Sequence, residues 1–191
     1  MCRDGPRSGP GFSQAAQIAG AAARPIATQG RSYKGRVSPL IVLQIGKLLM
    51  RPNKACPVVL SSTLPAKILL LRHPLAGVQL VKGTIEQGEA PAAAALRELS
   101  EESGITKATV KQDLGCWDAN HLGQVWSFHL CQVEDALPEH WSHQTQDDHG
   151  HLFTFFWAAF DDLPYNDCHP VFQRALLHLR KALEHSHSDR G

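Results

Sequence analysis

Between Pro91 and Gly104 the chain carries a short helical segment with three carboxylates where a helix tolerates them least. Proline suits the first helical turn, where its missing N–H has no partner to lose, and glycine just past the last turn can take the left-handed conformation that ends a helix. Within that segment Glu98, Glu101 and Glu102 fall at i, i+3 and i+4, so all three share one stripe of the helix surface. Like charges at that spacing repel, and the negative end of the helix dipole adds to the repulsion in the last turn. A cation must offset them. Oxygen-only ligands favour a hard divalent ion, magnesium or manganese. Magnesium keeps several waters and shares its shell with substrate phosphates, which fits a phosphate-handling enzyme better than a structural metal site. An isolated E-x-x-E-E is more commonly a solvated acidic face, so its surroundings decide.

Those surroundings are β-rich. Pro57–Ser61, Lys67–Arg72 and Val78–Val81 read as strands before the helix, and Val110–Trp117, Gln124–Val133 and His151–Phe160 as strands after it. A closing amphipathic helix runs from about Pro170 to His185, with Val171, Leu176, Leu179 and Leu183 able to share one face. No internal repeat interrupts this order.

The 191 residues suffice for one domain with a substantial core and a tail. The net charge of +1 conceals a division near residue 54. Up to Lys54 there are nine Lys/Arg and one acid, Asp4; from Ala55 onward ten Lys/Arg face seventeen Asp/Glu, a net charge of −7. Residues 1–50 are rich in Gly, Pro, Ser and Ala with little periodic apolar pattern, and read as a disordered basic arm ahead of a domain at 51–188. The arm fits a targeting segment, a contact for anionic partners, or dispensable upstream sequence with a natural start at Met50; the last is preferred. The apolar run Leu40–Met50 contains Gln44 and Lys47 and falls far short of the roughly twenty residues of a membrane span. Cys2, Cys56, Cys116, Cys131 and Cys168 form no C-x-x-C pair and are odd in number, which indicates neither a disulfide framework nor a cysteine zinc site and fits a reducing cytoplasm.

Read as a whole, Gly83, Glu89 and Arg97-Glu98-Leu99-Ser100-Glu101-Glu102-Ser103-Gly104-Ile105 resemble the Nudix box, G-x5-E-x7-R-E-U-x-E-E-x-G-U, where U is a bulky aliphatic residue. Seven fixed residue types at this spacing arise by chance on the order of once per billion start positions, which outweighs the solvated-face reading. The resemblance implies an α/β/α sandwich with a mixed β-sheet, an α+β arrangement, and a metal-dependent pyrophosphohydrolase. It also implies Glu98, Glu101, Glu102 and the Gly83 carbonyl as metal ligands, Arg97 as the residue orienting the glutamates, and Glu89 as loop support. Glu98 and Arg97 thus count among the catalytic residues. The family's base is a box glutamate or an acid on a loop outside the box; in the segment Trp141–His151 we favour Asp148, with Asp147 next, against an ordinary Asp/Gly turn. His143, His149 and His151 show no compact zinc signature.

Substrate identity is less legible. Val81-Lys82-Gly83 is similar to the Pro-Lys-Gly variant of dinucleoside polyphosphate hydrolases, with valine for proline, and Lys82 is a candidate phosphate contact or a solvated lysine. Arg72 is a second substrate-binding candidate. The tyrosine and proline that flag particular branches are absent. Of Trp117, Trp126, Trp141 and Trp157, one can stack a base, but Trp126 and Trp157 sit in apolar strands and read as core. The expectation is a hydrolase of nucleoside or dinucleoside polyphosphates; the alternatives are a non-catalytic nucleotide sensor and an RNA 5′-end pyrophosphohydrolase. The acidic domain argues against a broad nucleic-acid surface. Dimers are common in the family, so a homodimer is allowed.

Overall fold

Unbroken apolar runs such as Ile68–Leu71 need burial on both faces of a sheet, and the computed structural model, which describes residues 50–145 and 150–188, supplies it. In β2 (Lys67–His73), Ile68 and Leu70 enter one hydrophobic cluster while Leu69 and Leu71 enter another. The same division holds in β1 (Lys54–Val59), where Cys56 and Val58 face the first cluster and Val59 the second. Period-two alternation therefore feeds two cores at once. The expectations for residues 1–49 lie outside the described residues.

Among the described residues eight strands form two four-stranded sheets. The others are β3 (Gly77–Gln79), β4 (Gly83–Thr84), β5 (Ala108–Asp118), β6 (Val125–Val133), β7 (His140–Gln144) and β8 (Leu152–Ala159). One sheet has the order β4-β1-β6-β5, the other β3-β2-β8-β7. The expected mixed sheet is the first of these: β1 runs parallel to β6, with Lys54 opposite Trp126, while β4 and β5 pair antiparallel. The second sheet is wholly antiparallel.

Helices α1 (Pro91–Ser103) and α2 (Pro170–Ser188) cover opposite faces of this layer. Leu99 of α1, fully buried, belongs to the cluster with Val59, Leu69, Leu71 and Phe155; Val171, Phe172, Ala175, Leu176 and Leu179 of α2 belong to the cluster with Cys56, Ile68 and Trp126. Leu183 is also buried. The α/β/α sandwich follows. The alanine run has its own reason: Ala94 and Ala95 pack with Ala55 in a small third cluster, so only small side chains let α1 lie close to β1.

The sequence reading treated Trp141–His151 as one loop, whereas His140–Gln144 is the edge strand β7. Trp141 stacks on Phe155 of β8 at 4.9 Å, and its Nε1–H donates to the Ser103 carbonyl at 3.0 Å. The strand is mostly polar because its outer residues face water, so its pattern resembled a turn. Trp126 is fully buried, as expected; Trp157 is half-buried and donates from Nε1 to the Pro138 carbonyl. Among the described residues no helix is long and apolar enough to cross a membrane. The four described cysteines are all free thiols.

Two histidines give the fold a pH dependence. Burial lowers the pKa of His129 below its ordinary 6.5, and burial followed by Lys181 does the same to His178. Each ring takes up a proton less readily in the fold than in an unfolded chain, where it titrates near 6.5. Their contribution is therefore complete above that pH and is lost as pH falls from it toward the depressed folded-state values. We expect the urea unfolding midpoint to be lower at about pH 5.5 than at about pH 7.5, and the difference to shrink in His129→Gln.

Candidate active site

The site is built outward from the first residues of β1. Ala55 pairs with Gly83 and Lys54 with Thr84, which fixes the short β4 beside β1. The Ile85 N–H donates to the Asn53 carbonyl at 3.1 Å, and the chain then turns through Glu86–Glu89 into α1. Pro91 occupies the first turn of α1, and Gly104 closes it at φ 78°, its N–H donating to the Ser100 carbonyl. A side chain at that left-handed position would be strained and would press on the His143 ring.

Arg97 is the hub. Its Nε donates to Glu89 Oε1 at 2.9 Å and its Nη2 to Glu89 Oε2 at 2.9 Å and to the Thr84 carbonyl at 2.9 Å. Its Nη1 donates to Glu98 Oε1 at 2.8 Å and to Glu101 Oε2 at 2.9 Å. These contacts match the five N–H donors of a guanidinium. The Glu89 fork is bidentate, and Glu89 Oε2 also accepts the Glu86 N–H, so one carboxylate ties the loop to the helix. Arg97 and then the Glu86 N–H push the Glu89 pKa down to about 2.

Glu98 is the buried member of the glutamate stripe, 7 % exposed, while Glu101 is exposed and Glu102 intermediate. Burial raises the Glu98 pKa and Arg97 opposes it. Gly83 explains how Glu98 fits there. A Cβ at residue 83 would overlap the Glu98 carboxylate, so the loop comes this close only as glycine.

Lys54 also belongs to this neighbourhood and was missed by the sequence reading. Its Nζ donates to Thr84 Oγ1 at 2.7 Å. Burial and then Lys82 lower its pKa, while Glu98 and Glu102 act in the opposite sense. Nothing in the sequence marks Lys54, because only β1–β4 pairing brings it to the box. His143, weighed from sequence only as a zinc ligand, contacts the Glu101 carbonyl through Nε2 at 3.2 Å from β7.

Lys82 adjoins Gly83 in sequence, and its Nζ lies 5.6 Å from the ring centres of both Trp126 and Phe172. Arg72 is not brought to the glutamates by any contact of its own: its Nη2 pairs with Asp167 Oδ2 at 3.0 Å and its guanidinium lies 5.9 Å from the Phe156 ring centre. Asp147 and Asp148, the candidate bases, lie outside the described residues.

Among the described residues no three His, Cys, Asp or Glu side chains converge as they stand into a metal-holding group. Glu98 and Glu101 instead both turn one oxygen onto the same nitrogen of Arg97. The donor set still fits a hard divalent cation: it is all oxygen, and two of its carboxylates meet at one atom, each with a second oxygen to offer.

Removing Arg97 would strand the Glu98 carboxylate in its buried position. We expect Arg97→Gln to lower the unfolding free energy by about 2–3 kcal/mol in urea titrations, and Arg97→Lys to recover only part of it because one ammonium cannot replace the fork.

The family model described as NUDIX domain matches residues 51–179. Among solved structures, an ADP-ribose pyrophosphatase from Streptococcus suis aligns at a TM-score of 0.53 and 17% identity, covering 71% of this chain and 92% of that one. A UDP-X diphosphatase aligns at 0.54 and 19%, covering 76% and 72%. A NUDIX hydrolase from Nitrosomonas europaea aligns at 0.51 and 19%, covering 72% and 74%. At these identities the likeness shows the shared fold. No curated protein matches the chain.

Proposed function

Since the chain belongs to the Nudix family, we propose that it is a magnesium- or manganese-dependent hydrolase cleaving the phosphoanhydride bond of a nucleoside-diphosphate-linked substrate, with a preference for nucleoside or dinucleoside polyphosphates. The observation that carries this reading is the Arg97 cluster, in which one guanidinium holds Glu89, Glu98 and Glu101 together beside a glycine that only just admits the Glu98 carboxylate. A solvated acidic helix face would need neither the buried carboxylate nor the five-bond fork.

In this reading Glu98, Glu101, Glu102 and the Gly83 carbonyl hold the metal. When bound, it would neutralise the bridging phosphates and polarise the phosphorus for attack. Arg97 keeps the carboxylates in place, so little rearrangement accompanies the reaction. Asp148 accepts the proton of the attacking water. Lys82, adjacent to the box, meets an additional phosphate, and Arg72 is a second substrate contact. The working unit is residues 51–188, acting in the cytoplasm on small nucleotides, and the first fifty residues are dispensable to it.

Product release is measured over nucleoside triphosphates, dinucleoside polyphosphates, nucleotide sugars and ADP-ribose, with either metal, for the full chain and for a chain begun at Met50. Both chains are expected to act alike on one substrate class, and Glu101→Gln to lose on the order of a hundredfold in kcat. Nucleotide binding without turnover across the panel would instead make the domain a sensor. Asp148→Asn is expected to lower kcat by about a hundredfold with KM little changed; an unaltered kcat would pass the base role to a box glutamate.

A further inference from the structure

A cleft of about 610 Å³ opens beside the box, lined by Lys82, His121, Gln124, Asp167, His169 and Phe172 among others. Lys82 joins it to the box, because it directly precedes Gly83 in the chain. The cleft offers no open aromatic platform for a nucleobase. Phe172 is only 4 % exposed and Trp126 fully buried, and the Lys82 ammonium lies over both rings. The acid in the lining is already neutralised, since Asp167 Oδ2 pairs with Arg72 Nη2 at 3.0 Å. What the cleft presents is positive charge and imidazole.

The far wall is the turn that closes the hairpin between β5 and β6. Asn120 and Leu122, at φ 45° and 51°, take the left-handed conformation that such turns use, and they flank His121. The turn is pinned from both sides. Arg174 Nη2 donates to the Ala119 carbonyl at 2.7 Å, Asn53 Nδ2 donates to the Gly123 carbonyl at 2.9 Å, and the Val125 N–H donates to Asn53 Oδ1 at 3.0 Å. The result is His121 set against His169, with ring centres 5.3 Å apart. His169 Nδ1 accepts the Val171 N–H at 3.3 Å, which leaves its Nε2 as a hydrogen-bond donor. Several independent contacts thus fix the turn that carries His121.

We propose that this cleft seats a phosphate of the substrate beyond the two joined by the scissile bond, Lys82 supplying charge and His121 and His169 directed N–H donors. His121 then decides between nucleoside polyphosphates and two-phosphate substrates such as ADP-ribose and nucleotide sugars. As a statement about substrate choice this rests on the hydrolase reading above, but the anion site can be tested without it.

Inorganic tripolyphosphate is titrated calorimetrically into the full chain without divalent cation, so the box glutamates contribute no metal-bridged contact. Wild type is expected to bind under these metal-free conditions. His121→Phe, which keeps a ring in place, and Lys82→Met are expected to bind about tenfold more weakly or worse, with circular dichroism confirming that each is folded. In hydrolysis, the ratio of kcat/KM on a nucleoside triphosphate to that on ADP-ribose is expected to fall about tenfold in His121→Phe. Failure of wild type to bind tripolyphosphate, unchanged binding in His121→Phe, or an unchanged ratio would overturn the assignment. Tripolyphosphate binding that behaves as expected while no nucleotide is hydrolysed would leave the cleft standing and remove the hydrolase reading.

Discussion

The guanidinium of Arg97 is the interaction on which the site depends. Without it, three carboxylates on one helical stripe and a fourth on the preceding loop would repel one another, and Glu98 would sit in a buried position unsupported. With it, the loop, the end of β4 and the last two turns of α1 become one hydrogen-bonded unit, since Arg97 also holds the Thr84 carbonyl. The burial that raises the Glu98 pKa is the same burial that makes its geometry definite. Charge and packing thus work together here, because the shape of a guanidinium matches two carboxylates better than any apolar side chain could.

Around that unit the scaffold follows from alternation. Strands buried on both faces hand successive side chains to two cores, one under each helix, and the alanine run of α1 sets how near the box comes to β1. The two helices were legible in the sequence because proline, glycine and apolar spacing punctuate them. The strands of the two cores were legible because β-branched and aromatic residues crowd there. β7 was not, since His140–Gln144 is an edge whose stabilising contact, Trp141 on Phe155, is made with another strand.

The glutamates and Arg97 could be read from spacing alone, as a helix converts i, i+3 and i+4 into proximity. Lys54 could not, because it reaches Thr84 only through strand pairing. The cleft could not either: Lys82, His121 and His169 come from three separate parts of the chain, which only the fold brings together. Arg72, a basic residue at the end of a strand, is an easy candidate for substrate contact from sequence, and its pairing with Asp167 is visible only in the fold.

The Arg97 contacts have a kinetic consequence. Its partners lie 1, 4, 8 and 13 residues away along the chain, whereas β1 must find β6 across the whole of the box and β5. Local contacts close quickly and distant parallel pairings slowly. During folding the contacts of Arg97 can therefore close before β1 and β6 settle their register. A cassette that closes on itself also leaves the surrounding loops free to diverge, so new substrates can be acquired by altering distant turns without reopening the chemistry.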